Sequence, residues 1–150
     1  MSGLESIRRE FAYAVVRRCT EQGCTLKLAG LSDYVVLKGE KLHQDRKMPD
    51  CIIFEMNGKV VVGIVELKSR TVHVNDVVEK LENGCRSALK ILQVRLKRST
   101  KPTLLLLVLC KAIHSSEFRL LTSRRIKAGE RRLMIQVKDC GFAFASLLGR

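Results

Sequence analysis

Residues 48–70 have the sequence MPDCIIFEMNGKVVVGIVELKSR. Two runs of β-branched and apolar residues flank an Asn-Gly dipeptide, which is typical of tight β-hairpin turns. Three ionisable residues, Asp50, Glu66 and Lys68, lie at the ends of these runs that are remote from the turn. The stretch therefore predicts a β-hairpin with a small charged group at its open end.

The length of the turn decides whether the charged residues meet, because strand side chains alternate between the two faces of a sheet. A two-residue turn formed by the Asn-Gly pair would place Asp50 opposite Val65. Asp50 would then lie on the face opposite Glu66, since a shift of one residue moves a side chain to the other face. That register would separate the two carboxylates.

A three-residue turn, with Gly58 in the left-handed conformation before a bulge, would instead place Asp50 opposite Ile64. It would also place Glu55 directly across from Lys59, and opposite charges in that position are modestly stabilising. The three charged residues of the open end would then share one face. We therefore favour this register.

Two carboxylates that converge beside an ammonium group suit a hard divalent cation. Magnesium takes one or two carboxylates, retains several waters and leaves positions for phosphate oxygens. A neighbouring lysine can orient or deprotonate the attacking water and offset charge on the phosphorane. The alternative is a charged strand end in solvent, which is the commoner meaning of an isolated Glu-x-Lys triplet. The preceding Pro-Asp pair and the apolar hairpin favour the metal site.

Apolar periodicity predicts the remaining elements. They are a helix over 4–22 that ends at Gly23, strands at 24–28 and 34–37, a helix from a capping box at Asp76 to about 97, a strand at 103–110, a helix at 116–127 and a strand at 133–137. The apolar residues 141–148 either complete the core or pair two subunits.

These elements predict a single α/β domain over residues 1–150, with a mixed central β-sheet flanked by helices on both faces. Asp50 and Glu66 share one face of the hairpin with alternate apolar residues, and we expect the first helix to cover it. The second helix is expected on the other face.

A Pro-Asp pair ending at Asp50, fifteen intervening residues and the Glu-Leu-Lys triplet beginning at Glu66 resemble the signature of the PD-(D/E)xK nucleases. Within that superfamily, residues from about 4 to 95 are most similar to the archaeal Holliday-junction resolvases. The resemblance implies the restriction-endonuclease-like fold. It also implies an Mg²⁺-dependent endodeoxyribonuclease of recombination and repair, with Mn²⁺ as a substitute, that cuts branched DNA as a homodimer.

The resemblance further implies roles for single residues. Asp50 and Glu66 would bind the metal together with the backbone carbonyl of Leu67, and Lys68 would position or activate water. An acidic residue on the first helix completes the site in that family, and its distance to the helix end favours Glu10.

Ser32 lies where the family often has a mobile, serine-containing loop near the site. The polar stretch before the motif is longer than in the resolvases, which leaves the substrate open. Flap DNA, linear duplex and RNA are alternatives. A nucleic-acid-binding or assembly module that keeps the fold without turnover is another.

The excess positive charge lies almost wholly in the second half of the chain. Residues 1–85 contain 13 Lys and Arg against 12 Asp and Glu, whereas residues 86–150 contain 15 against 3. Such asymmetry indicates a polyanionic partner, usually nucleic acid, with a generally basic surface or acidic lipid as alternatives. The candidate nucleic-acid contacts are Ser32, Arg46, Arg70, Arg86, Lys90, Arg124, Arg125, Arg131 and Arg132.

The six cysteines form no C-x-x-C pair and mostly interrupt apolar stripes, so we predict buried, reduced thiols. A disulfide is the alternative if the source is a hyperthermophile. Residues 1–10 are polar rather than signal-like, and the apolar run 103–110 is too short to span a bilayer. We therefore expect a soluble, cytoplasmic protein that is associated with the nucleoid and has no membrane partner.

Overall fold

The computed structural model describes residues 3–96 and 100–150. In chain order these residues form α1 (Gly3–Glu10), a 3₁₀ helix (Ala12–Ala14), β1 (Val15–Val16), β2 (Cys19–Glu21), β3 (Cys24–Leu26), β4 (Asp33–Lys38), α2 (Gly39–Leu42), β5 (Cys51–Met56), β6 (Val60–Lys68), α3 (Val74–Gln93), β7 (Thr103–Cys110), α4 (Ser115–Ser123), β8 (Arg125–Ala128), β9 (Arg131–Asp139) and a 3₁₀ helix (Phe144–Leu148). The predicted end of the second helix, at about 97, lies outside the described residues.

One mixed sheet contains seven of the described strands, in the order β1-β4-β5-β6-β7-β9-β8. The pairs β6–β7 and β7–β9 are parallel, and the other neighbours are antiparallel. A parallel pair needs a crossover connection, which α3 supplies between β6 and β7. Strands β2 and β3 form a separate antiparallel hairpin. The predicted α/β class and mixed central sheet are therefore confirmed.

Two apolar layers flank the sheet, and the helices are distributed between them differently from the prediction. The first layer joins Ile52 and Ile64 of the sheet to Ile7 of α1 and Leu81 of α3. Helices α1 and α3 therefore both lie on the face of Asp50, and the predicted placement of the second helix on the other face is wrong. A right-handed β6–α3–β7 crossover confines α3 to one face.

The second layer has no α-helix among the described residues. Ile53 and Val65 of the sheet pack there against Leu26 of β3 and Phe144 of the last 3₁₀ helix. Phe144 is fully buried, so residues 141–148 complete the core. The β2–β3 hairpin and this 3₁₀ helix occupy the space that we had assigned to α3.

The predicted helix over 4–22 ends at Glu10. The chain continues as the edge strand β1 and then as the β2–β3 hairpin. Gly23 does not end a helix. Instead, Gln22 and Gly23, with φ of 45° and 82°, form a two-residue turn of the kind that matches strand twist. The prediction failed because apolar residues of β1 and β2 fall at helical spacing.

The later elements are close to their predicted positions. Strand β7 has the predicted bounds. Helix α3 begins at Val74 after His73, which makes no side-chain cap, so the predicted capping box is wrong. Helix α4 ends at Ser123, earlier than predicted, because the following residues form β8.

Four of the six cysteines are paired, so the prediction of reduced thiols is wrong for them. Disulfides join Cys19 to Cys51 and Cys24 to Cys140, with Cα separations of 6.0 and 5.0 Å. The other two cysteines are buried and free. The paired residues are 32 and 116 positions apart in sequence, so spacing alone did not reveal them. Together the disulfides fasten the β2–β3 hairpin to the sheet.

Glu55 is a fully buried carboxylate at the turn end of β5. The guanidinium of Arg150 donates to both of its oxygens, and the backbone N–H of Ser32 donates to Oε2 at 2.9 Å. Burial alone would raise the pKa of Glu55, but these donors outweigh burial and hold that pKa below its usual value. The pair ties the last residue of the chain to the sheet.

We expect Arg150→Ala to lower the unfolding temperature by several degrees at pH 7, because the buried carboxylate loses its charged partner. The difference from the wild type should shrink as the pH falls below about 4.5, where the carboxyl becomes protonated. Thermal unfolding followed by circular dichroism measures both effects. A Glu55→Gln/Arg150→Ala double variant should recover part of the loss. Equal midpoints for Arg150→Ala and wild type at pH 7 would contradict this account.

Candidate active site at the open end of the hairpin

A three-residue turn, 57–59, joins β5 to β6, and its glycine has φ 72°. The pairing then continues without interruption to Cys51 opposite Val65. The next two residues in this register are Asp50 and Glu66, which therefore stand opposite each other on one face.

The predicted pairs Asp50–Ile64 and Glu55–Lys59 are wrong, because the register is displaced by two residues. The observed register leaves Lys59 exposed in the turn and buries Val60 in the strand. A displacement of two residues keeps every side chain on its predicted face, since the strand period is two. The shared face of the two carboxylates is thus correct even though the partners are not.

Hydrogen bonds from backbone N–H groups orient the carboxylates of Asp50 and Glu66. The N–H of Asp50 donates to Glu66 Oε1 at 3.2 Å, and the N–H of Leu67 donates to Asp50 Oδ2 at 2.7 Å. The Glu66 side chain is only 1% exposed. These contacts fix the orientation of both carboxyl groups before any ligand is bound.

Two ammonium groups face the second oxygen of Glu66. Lys68 Nζ lies 3.4 Å and Lys80 Nζ 3.0 Å from Oε2. Both contacts are ion pairs, and Oε2 makes no directional hydrogen bond with a described residue. Lys80 also contacts Asp76 at 3.3 Å, and Asp76 contacts Lys47 at 2.8 Å. A chain of alternating charges therefore runs from α3 to the buried carboxylate.

The electrostatics of the site follow from burial and from the nearness of like charges. Burial first, and then the charge of Glu66, raise the pKa of Asp50 to about 7, although the Leu67 N–H opposes the shift. For Lys80, burial disfavours the charged form, but attraction by Glu66 and Asp76 is stronger and raises its pKa. The site thus holds a carboxyl that ionises near neutrality beside a firmly charged lysine.

Two glycines let the backbone around Asp50 pack closely. A Cβ at Gly39 would lie 1.8 Å from the carbonyl oxygen of Pro49, and the Gly39 N–H donates to the carbonyl of Asp50 at 3.2 Å. On the other side, a Cβ at Gly84 of α3 would lie 2.7 Å from the Pro49 ring and from Ile64. Because Gly84 has no side chain, α3 can approach the site closely.

A polar cavity of about 240 Å³ opens at this end of the sheet. It is lined by Glu21, Gln22, Asp50, Glu66, Leu67, Lys68, Ser69, Arg70, Thr71 and Lys80. Ligands of α/β sheets commonly bind beyond the carboxyl ends of parallel strands, and β6 ends here beside β7. The predicted residues Asp50, Glu66, Lys68 and Arg70 are therefore brought together.

Glu10 does not belong to this cavity, so its predicted position in the acidic cluster is wrong. Its side chain is 60% exposed and forms an ion pair with Arg95, which follows the end of α3. It lines a different cavity, with Tyr13 and Lys90. Helix α1 ends at Glu10, and the chain then forms the 3₁₀ helix and the edge strand β1.

Sequence reasoning missed five of the residues that line the cavity: Glu21, Gln22, Ser69, Thr71 and Lys80. Glu21 and Gln22 come from the β2–β3 hairpin, which is fastened to β5 by a disulfide between Cys19 and Cys51. Both residues lie within the predicted helix over 4–22, so no signal placed them at the cavity. Lys80 had a usable signal: it is four residues from Asp76, which is an ion-pair spacing on a helix.

The other predicted nucleic-acid contacts lie away from the cavity. Ser32 is bonded to Glu55 at the turn end of the hairpin. Arg46 is exposed in the loop before the motif, with Asp45 3.8 Å away. Arg86 and Lys90 are exposed on α3. The remaining four, Arg124, Arg125, Arg131 and Arg132, lie around β8 and the start of β9 at the edge of the sheet.

The donor set is small for a metal site. No group of three or more His, Cys, Asp or Glu within 3–96 and 100–150 is arranged to hold a metal ion. Asp50 and Glu66, with the Leu67 carbonyl, still fit a cation such as Mg²⁺ that uses few protein ligands and keeps several waters. Glu66 Oε2 already faces two ammonium groups, so a cation bound there has to compete with Lys68 and Lys80.

Comparison of the chain with family models, curated proteins and solved structures gives no match. None of the helices in the described part of the chain has the length and apolar character needed to cross a membrane.

We expect Gly39→Ala to destabilise the fold by about 1–3 kcal/mol, the usual cost of overpacking, because the new Cβ collides with backbone rather than with a flexible side chain. Urea unfolding measures the effect. Lys41→Ala is the matched control, since Lys41 is exposed in the same short helix. A Gly39→Ala protein as stable as the control would show that Pro49 is not confined as described.

The raised pKa of Asp50 predicts how stability depends on pH. The folded state holds this proton up to about pH 7, whereas an unfolded aspartate releases it near 3.8, so stability should fall as the pH rises between these values. The fall is at most about 4 kcal/mol, since each pH unit between the two values contributes about 1.4 kcal/mol. Urea unfolding at pH 4, 6 and 8 should show a shallower fall for Asp50→Asn. Parallel pH profiles for the two proteins would reject this assignment.

Proposed function

We propose that this chain is a divalent-metal-dependent endonuclease that hydrolyses phosphodiester bonds in DNA. The observation that carries the proposal is the opposed pair Asp50 and Glu66 at the open end of the hairpin. The carboxyl groups are oriented by backbone N–H groups, and a lysine of the same motif lies 3.4 Å from Glu66. This arrangement supplies oxygen ligands and a cation at one end of a polar cavity.

The residues divide the work according to their positions. Asp50 and Glu66, with the Leu67 carbonyl, would hold Mg²⁺ or Mn²⁺, which supplies Lewis-acid chemistry when bound. Lys68, at the rim, would orient the attacking water and offset charge on the phosphate. Lys80 would hold Glu66 in place from α3, as its ion pair at 3.0 Å indicates.

The finer assignment rests on the resemblance of the motif to the Holliday-junction resolvases. It favours branched DNA as the substrate, a homodimer as the active form, and a role in recombination or repair inside the cell. The basic second half of the chain supports a polyanionic substrate of this kind. Linear duplex and RNA keep the same chemistry and are distinguished by substrate choice.

A second candidate function is a nucleic-acid-binding or assembly module that does not cleave. It is favoured by two observations: the two lysines already neutralise Glu66, and the described residues bring no third acidic ligand into a metal cluster. Both functions predict salt-sensitive DNA binding. Only the nuclease predicts cuts that depend on a divalent metal.

Metal-dependent cleavage tests the proposal directly. The full chain with Mg²⁺ or Mn²⁺ is assayed against a four-way junction, a flap, linear duplex, single strand and RNA. We expect cleavage, and we expect Glu66→Gln and Lys68→Gln to lower its rate by at least about 100-fold because each removes a ligand or a charge at the reacting phosphate. Symmetric products from the junction alone would support the resolvase assignment.

Glu10→Gln is the matched control, since the structure places this carboxylate outside the cavity, and it should cleave at nearly the wild-type rate. The second readout is thermal unfolding, in which Mg²⁺ should stabilise the wild type at pH 8 but not Glu66→Gln. Full activity in Glu66→Gln would remove the metal site. If the wild type binds DNA but neither cleaves it nor is stabilised by Mg²⁺, the binding module is selected.

A further inference from the structure

Strands β8 and β9 form a ribbon at the edge of the sheet with one open face. Alternate residues, such as Ile126 and Ile135, are buried in the layer that contains the helices. The residues between them are all exposed: Arg125 and Lys127 on β8, and Arg132, Met134, Gln136 and Lys138 on β9. We name these six residues the open ribbon face.

The open ribbon face is strongly basic and carries no acid. Four of its six residues are Lys or Arg, and Asp139 of β9 points to the opposite face by strand alternation. Lys127 stands directly opposite Arg132 in the antiparallel pair. Like charges in that position destabilise a sheet. In the described part of the chain, neither residue pairs with an acidic side chain.

The open ribbon face and the cavity meet at one end of the sheet, but the ribbon side chains point to the face opposite Asp50 and Glu66. Leu109, Lys138 and Leu67 occupy the same level of neighbouring strands, so Lys138 lies at the carboxyl end of the sheet. From there the cations extend along β9 to Arg132, over about 20 Å at 3.3 Å per residue. A long ligand would have to pass around the carboxyl end of the sheet to contact both the cavity and the ribbon.

We propose that the open ribbon face binds the phosphate backbone of duplex DNA, and this extends the proposed function, on which it rests for the choice of DNA as the polyanion. A row of cations without acids matches the uniform charge of a duplex. Single-strand sites use aromatic side chains for stacking, and the six residues include none. A bilayer surface would call for a larger apolar component than Met134, which is 58% exposed.

The test is DNA binding by the full chain in EDTA, which prevents metal-dependent cleavage, with a fluorescent 30-base-pair duplex at 50–200 mM salt. We expect Lys127→Gln/Arg132→Gln to weaken binding about tenfold and to lower the salt slope by about 1.8, since each phosphate contact contributes about 0.9. The control, Arg9→Gln/Arg18→Gln, removes the same charge from exposed positions near the opposite edge of the sheet. It should bind within about twofold of the wild type.

The result does not depend on turnover. A ribbon variant that binds duplex as the control does, with the same salt slope, overturns the proposal even if the wild type cleaves DNA. Tighter binding to single strand, or to vesicles of phosphatidylcholine and phosphatidylglycerol, also overturns it. If the ribbon variant binds duplex more weakly and the wild type never cleaves DNA, the ribbon surface is supported and the nuclease is rejected. Circular dichroism of each variant confirms that it is folded.

Discussion

The contact between Asp50 and Glu66 constrains the rest of the structure. Two carboxyl groups buried side by side repel each other, so the fold must supply donors and cations around them. The backbone N–H groups of Asp50 and Leu67 provide the donors, and Lys68 and Lys80 provide the charge. This arrangement requires α3 to lie on the sheet face that carries Asp50 and Glu66, because Lys80 must reach Glu66 from α3.

The chain contains two buried glutamates that are stabilised in different ways. Glu55 has a bidentate guanidinium and a backbone donor, so its oxygens are satisfied and its pKa is held below the usual value. Glu66 has ammonium groups nearby but one oxygen without a directional hydrogen bond. The first arrangement is a fully hydrogen-bonded ion pair that stabilises the fold. The second holds a carboxylate by the charge of two lysines in an open cavity, and our proposed function rests on that difference.

The hairpin was predictable because its information is local. The strand period of two fixed which apolar residues share a face with Asp50, and that assignment survived a register error of two residues. The exact strand register set by the turn was not predicted correctly. Local rules favoured a Glu55–Lys59 pair, but Glu55 instead meets Arg150, which is 95 residues away. The gain from satisfying a buried carboxylate exceeded the small gain from an exposed cross-strand pair.

The sequence by itself determined the class of the fold, the buried strand β7 and the motif that gathers Asp50, Glu66 and Lys68. Each depends on residue type and short spacing. Only the tertiary structure decided that Glu10 faces outward and that Lys80 reaches the site. It also joined four cysteines into disulfides. These outcomes depend on which face each element covers, and periodicity along the chain does not encode that choice.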